Sequence, residues 1–272
     1  MTLKKLFILL IINANRLIRL MRPYFLYGNR VKCVLCGWSF RKFLPSGILE
    51  REFWKSTEGL EIRNLPHVTI CDAKCPKCGS SERQRLFYIY MKNKKDFDKE
   101  KNIKILEVGP DDFVTKALFD RKDIEYTSVD IERSNATQKM DLTDLNYPDN
   151  SFDNIFCYHV LEHINDDIKA MKELYRVLKP GGWGILQVPL WSDLTFEDNK
   201  VSPEQYELVY GHPQHVRRYG RDYLDRLESV GFKVDLDKYS ASLTHDFVER
   251  NGILKSEDIY LCNKPNQDSN ST

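Results

Sequence analysis

The chain has 272 residues, 42% of them hydrophobic, and its 41 basic and 40 acidic side chains leave a formal net charge of +1. That length holds one large domain, or a domain with a small module, and near-neutrality with both signs interspersed argues against the concentrated basic footprint of a nucleic-acid binder. Seven cysteines, an odd number, make a poor disulfide framework, but four of them fall in two Cys-x-x-Cys pairs, which points to metal in a reducing compartment.

Leu3 to Met21 is mostly apolar, with Lys4, Lys5, Arg16, Arg19 and Arg22 around it. Its uninterrupted apolar run, Leu6 to Ile12, is too short to span a bilayer. Asn13 and the arginines after it are not a small-residue cleavage site. Two readings stand: an amphipathic helix packed on the body or on a partner, or one lying at a membrane surface through residues 3–21. The corresponding location is cytoplasmic, with or without peripheral contact at the inner face of the membrane.

Cys33-Val-Leu-Cys36-Gly37 opens a small module, and Cys75-Pro-Lys-Cys78-Gly79 closes its ligand set. A Cys-x-x-Cys turn directs both sulfurs to one tetrahedral ion, and the glycine after each pair keeps the turn tight. Cys33, Cys36, Cys75 and Cys78 are therefore expected to hold a structural zinc, closed and without an open position. Cys71 is a spare ligand, and an emptied finger or an iron–sulfur site is the alternative. A helix is expected from Ser81, and the charged run Lys92 to Lys101 reads as its solvated end and a linker.

The main domain alternates strand and helix. Ile103 to Val108 is a strand ending in Gly109, with Val114 to Phe119 in the helix after it. Tyr126 to Val129 is a strand ending at Asp130, and a short strand near Thr137 to Met140 leads to Asp141. Phe152 to Tyr158 is apolar enough to be central and buried on both faces. Asp166 to Leu178 has helical periodicity, stopped by Lys179-Pro180-Gly181-Gly182. Gly184 to Val188 is the next strand. An insertion at 189–219 is followed by a helix at Arg221 to Val230 and strands at Phe232 to Leu236 and Ile259 to Cys262. The expected segments are 1–28 (helix and link), 29–92 (cysteine module and following helix), 102–264 (main domain) and 265–272 (disordered tail).

Six segments in order carry a family resemblance: Ile105-Leu106-Glu107-Val108-Gly109-Pro110, Val129-Asp130-Ile131-Glu132, Met140-Asp141-Leu142, Pro148 to Asp153, Leu161-Glu162-His163-Ile164, and Glu173 to Gly182. Over 103–262 the chain resembles the class I S-adenosylmethionine-dependent methyltransferases of the generic small-molecule group. The resemblance implies an α/β fold with a Rossmann-like, mostly parallel seven-stranded sheet whose last strand is antiparallel. It also implies S-adenosylmethionine as cofactor. Glu107 and Gly109 would lie at the cofactor's amino-acid end. Asp130, followed by Ile131, would accept from the ribose hydroxyls, Asp141 from the adenine amino group, and Leu142 would offer its amide. Tyr158 to Glu162 would line the mouth. The first loop departs from the family pattern: Gly109-Pro110-Asp111-Asp112 replaces the usual glycine-rich run. Its negative charge suits a sulfonium and an ammonium better than a diphosphate.

Methyl transfer is an in-line displacement needing alignment, with a base only if the nucleophile carries a proton. His215 is the candidate base or substrate contact, Arg217 the candidate partner of an acidic or polar acceptor group, and His163 a further candidate with an equal claim to a loop-fixing role. Trp191, Phe196, Tyr206 and Tyr210 form either a substrate wall or the insertion's own core. The run from Cys75 to Leu86, with Arg83 and Arg85, resembles bacterial proteins with such a module before a methyltransferase domain, some associated with surface-glycan assembly. The expected reaction is methyl transfer to an oxygen or nitrogen of a small-molecule or carbohydrate-like acceptor. The alternatives are an RNA or protein methyltransferase docking through a zinc-ribbon-like module, and a non-catalytic binding scaffold. Nucleic acid is not the expected partner.

Overall fold

The computed structural model describes residues 17–18, 20–45, 73–93, 97–132, 135–254 and 257–266. Most of the N-terminal apolar segment, Cys71 and the tail from 267 lie outside the described residues. Residues 20–25 are helical and expose Leu20, Met21, Tyr24 and Phe25. Among the described residues no helix is long and apolar enough to cross a membrane.

The chain then forms β1 (Tyr27–Lys32), β2 (Ser39–Phe40), α1 (Glu82–Asn93), β3 (Ile103–Val108), α2 (Asp112–Phe119), β4 (Ile124–Asp130), β5 (Gln138–Lys139) and β6 (Phe152–Tyr158). It continues with α3 (Asp167–Val177), β7 (Leu178–Gln187), β8 (Leu190–Ser192), α4 (Tyr206–Tyr210), β9 (Tyr219–Gly220) and α5 (Tyr223–Ser229). The last elements are β10 (Lys233–Asp237), α6 (Tyr239–Ser242), α7 (His245–Asn251) and β11 (Ile259–Asn263).

Seven strands form one sheet in the order β10-β11-β7-β6-β3-β4-β5. From β7 to β5 every pair is parallel, whereas β11 runs antiparallel to both of its neighbours. This is the Rossmann-like class I methyltransferase sheet that the resemblance implied. The strand order reverses beside β3, so the carboxyl ends of β3, β4 and β6 open a crevice there. Apolar runs make β3 and β6 central: Ile105, Leu106, Ile155, Phe156 and Cys157 are fully buried. One face packs on α3 and α5 through Met171, Leu174 and Leu227. The other packs on α1 and α2 through Leu86, Phe87, Val114 and Leu118.

Three expectations are corrected. The helix α1 belongs to the sheet's own packing layer, with the Phe87 ring 5.4 Å from Phe156 and 4.7 Å from Tyr158. Within the charged run, Phe97 is completely buried against Phe119, held by Arg121, which donates to the carbonyls of Phe97 and Glu100. One aromatic in a polar run is enough to pull the backbone onto the core. Finally, β7 starts directly at Leu178, inside the expected helix stop. There Lys264 Nζ donates to the Tyr175 and Leu178 carbonyls, ending α3 without a loop. At Gly184 a Cβ would lie 2.6 Å from the Ile155 carbonyl, so only glycine lets β7 approach β6 this closely.

Candidate active site and cysteine cluster

Gly109 ends β3 with φ +65°, and a Cβ there would meet Val160 Cγ2 at 2.8 Å, with Asp130 Oδ2 3.8 Å away. The turn therefore needs glycine both for its dihedral and for the close passage of the next loop. Asp130 ends β4; its Oδ1 accepts from the Glu132 amide at 2.8 Å, which fixes the carboxylate over the crevice. Ile131 beside it is exposed. The Met140 amide donates to the Asp130 carbonyl at 3.1 Å, bringing Asp141 to the same edge. Asp141 Oδ1 accepts from the Thr143 amide and hydroxyl, and the Leu142 side chain is buried.

A cavity of about 230 Å³ lies under this edge, walled by Glu107, Gly109, Asp111, Val114, Tyr158 and His159. Its remaining wall comes from the start of α1: Ser81, Arg83, Gln84 and Phe87. Gln84 donates to Asp111, tying α1 to the departed glycine loop. Glu107 Oε2 accepts from the Thr115 and Tyr126 hydroxyls, each at 2.6 Å. Burial pushes the Glu107 carboxyl up while those donors oppose the shift. Burial likewise holds the Tyr158 phenol well above its ordinary value, so it stays protonated.

His159 has φ 54°, unusual for a residue with a Cβ. Arg83 Nη1 donates to its Nε2 at 2.8 Å, so Nδ1 carries the proton and donates to Glu162 Oε1 at 3.2 Å. Burial first, and then the Arg83 charge, hold His159 well below its ordinary value, and it is neutral. Its lone pair is thereby engaged by Arg83.

The structure brings His163 and His215 together with His212, ring centroids 4.7 to 5.5 Å apart, but none of the three is on the cavity wall. Arg217 does not reach outward for an acceptor. It is 3% exposed and donates to the Leu161, Ile164 and Asn165 carbonyls and to Glu197. Its fork joins the insertion to the loop after β6. Tyr210 is buried, its hydroxyl engaged by Asp198, and so belongs to the insertion's own core. Gln84 is a functional candidate that sequence reasoning did not single out, whereas Glu162 enters there only as the end of the mouth segment Tyr158 to Glu162. Nothing in a sequence shows that Glu162 is 1% exposed.

The two cysteine pairs form matching knuckles. Cys33 accepts from Gly37 and donates to Trp38, as Cys75 accepts from Gly79 and donates to Ser80. Gly37 and Gly79 have φ +72° and +77°. The four sulfurs lie within 4.8 Å of one another, with Cys33–Cys78 and Cys36–Cys75 both at 3.7 Å. A tetrahedron with Zn–S bonds of about 2.3 Å has an edge of about 3.8 Å, so these residues fit such an ion. Arg85, completely buried, stacks on Phe43 and donates to the carbonyls of Ala73, Ser80, Asn251 and Gly252. That guanidinium clamps the cluster to α7 and to the start of α1.

Residues 106–186, the strands and loops framing the crevice, match the protein family described as methyltransferase domain. A probable S-adenosylmethionine-dependent methyltransferase of Mycolicibacterium smegmatis is 32% identical over 111 residues, 40% of this chain and 37% of that protein. A sterol 24-C-methyltransferase of Yarrowia lipolytica is 31% identical over 115 residues, 41% of this chain and 29% of that protein. The chain thus spans about a third of the length of the curated relatives it matches. A SAM dependent methyltransferase from Archaeoglobus fulgidus aligns with a TM-score of 0.45 at 16% identity, over 66% of this chain and 94% of that chain. With the strand order and the crevice, the match over 106–186 identifies a class I S-adenosylmethionine-dependent methyltransferase fold, against which a cysteine cluster of metal-chelating geometry is packed.

Proposed function

We propose that the chain transfers a methyl group from S-adenosylmethionine to an oxygen or nitrogen of a small-molecule or carbohydrate-like acceptor. The observation that carries this is the meeting of Gly109, Asp130 and Asp141 at one sheet edge, above a cavity of about 230 Å³. When bound, the cofactor supplies an electrophilic methyl group on a sulfonium. The chain's own residues bind and orient. Asp130 is suited to accept from two ribose hydroxyls and Asp141 from the adenine amino group, and the bare backbone at Gly109 permits close approach. Asp111 and Glu107 give the cavity the negative character that a cationic ligand favours.

The acceptor reading rests on the wall contributed by α1. Arg83, Gln84, Ser81 and His159 set hydrogen-bonding groups around the cavity, beside the apolar Phe87 and Tyr158. Such a lining favours a polar acceptor over an apolar one, because an apolar acceptor would strip water from those polar groups without offering hydrogen bonds in return. Cys33, Cys36, Cys75 and Cys78 are proposed to hold a structural zinc ion, whose knuckles fix the start of α1 and hence this wall.

The test is calorimetric titration of the zinc-loaded chain with S-adenosylmethionine and S-adenosylhomocysteine, beside Asp130→Ala. Micromolar binding, lost in the variant, is expected, followed by an acceptor screen beginning with nucleotide sugars and glycans. Absence of binding by the intact protein would overturn the proposal.

A further inference from the structure

We propose that His163, His212 and His215 form a second metal site, for a divalent transition-metal ion of the zinc class, separate from the four-cysteine cluster. The inference does not depend on the methyl-transfer reading.

The site is assembled from two distant pieces of chain. His163 closes the turn Leu161–His163 after β6. His212 and His215 flank a Pro-Gln pair just after Gly211, whose φ of +83° ends α4. The Val216 amide donates to the Glu162 carbonyl at 2.9 Å and docks one turn on the other. The result places one ligand nitrogen from each of three histidines within 4.8 Å of the others.

The hydrogen bonds leave lone pairs where an ion needs them. The Gln214 carbonyl, 3.1 Å from His163 Nδ1, can only accept, so Nδ1 is protonated and Nε2 keeps its lone pair. His215 Nδ1 is buried and has no hydrogen-bond partner. His212 Nδ1 accepts only a 3.2 Å bond from the Gln214 amide, a contact that an ion would displace. Ligating histidines are usually held this way, one ring nitrogen anchored on a backbone carbonyl while the other faces the metal.

A buried carboxyl group, Glu162, neighbours the cluster. Glu162 accepts from His159 at Oε1, while its Oε2 is buried without a partner, and His215 and His163 bear on its carboxyl electrostatically. Ring packing accounts for the contacts among the three imidazoles. It does not account for the orphaned lone-pair atom on His215. A divalent cation would satisfy it. Imidazole donors suit zinc, cobalt, nickel and copper rather than magnesium or calcium. With Zn–N bonds of about 2.05 Å, a tetrahedral edge is about 3.4 Å, so the ion would draw the rings inward by roughly an ångström, within reach of small side-chain rotations.

The experiment uses the untagged, zinc-loaded full chain, titrated with Co²⁺. One equivalent should bind with the visible d–d bands of nitrogen and oxygen coordination, without the thiolate charge-transfer absorption that exchange into the cysteine cluster would give. His212→Ala/His215→Ala should abolish that equivalent while keeping one zinc per chain and the wild-type circular dichroism. Absence of a Co²⁺ equivalent in the wild type, or binding unaffected by the double substitution, would overturn the proposal. Should the variant fail to fold, X-ray absorption at the cobalt edge of the wild-type protein decides. Imidazole scattering from three ligands is expected, and a shell of oxygen alone overturns the site.

Discussion

Arg85→Ala tests whether the cysteine cluster and the sheet domain are one cooperative body. The guanidinium makes hydrogen bonds to four carbonyls, two on the cluster side (Ala73, Ser80) and two at the end of α7 (Asn251, Gly252). Burial lowers its pKa, but the nearby cysteine sulfurs and Glu82 work against that shift. Truncation removes the guanidinium donor from all four carbonyls. Each buried acceptor left unpaired costs roughly 1–3 kcal/mol, and water entering the vacated volume relieves some of them. Loss of the stacking on Phe43 adds about 1 kcal/mol. The expected destabilisation is therefore roughly 3–5 kcal/mol, in line with breaking a buried charged network. Urea unfolding of the zinc-loaded protein measures it, and a chromogenic chelator should extract the cluster's metal faster from the variant. Arg85→Lys should recover less than half, because an ammonium cannot reproduce the planar fork. A loss below about 1 kcal/mol for Arg85→Ala, against the roughly 3–5 kcal/mol expected, would refute the clamp.

Three further outcomes follow from local geometry. Gly109→Ala forces a Cβ at φ +65° and 2.8 Å from Val160; a loss of about 1–3 kcal/mol in stability with at least tenfold weaker S-adenosylhomocysteine binding is expected, and unchanged binding would contradict the crevice assignment. Burial pushes the Glu257 carboxyl up from 4.5 to about 7. Its raised folded value means that its contribution is fully present below about pH 4.5 and is lost as pH rises through about 7, by up to about 3 kcal/mol. Urea midpoints from pH 4.5 to 8 should show this loss in the wild type and not in Glu257→Gln; parallel profiles would count against it. Tyr219→Phe removes a 2.6 Å bond to the buried Asp167 carboxylate. Because Arg226 still pairs with Asp167 at 2.9 Å, the cost should fall near 1.5 kcal/mol, and a change below about 0.5 kcal/mol in the unfolding free energy would refute the role given to that hydroxyl.

The amino-acid sequence by itself determined the central strands, because β3 and β6 are buried along most of their length and carry apolar runs to match, and their bounds Ile103–Val108 and Phe152–Tyr158 fall where the expectation put them. It also determined the cysteine pairs, whose spacing and following glycines dictate a knuckle before any packing is known. The mostly parallel seven-stranded sheet followed from the resemblance carried by six ordered segments, not from periodicity. What only the tertiary structure decided is where polar side chains are spent. Arg217 and Arg85 look alike in the sequence to any exposed arginine, yet both are buried and donate to backbone carbonyls of distant segments. The convergence of His163 with His212 and His215 depends on one turn docking on another some fifty residues away along the chain. Hydrophobic periodicity reports which face of an element is buried. It carries no record of which distant backbone or lone pair a polar group will meet, since those partners are chosen only when the elements pack.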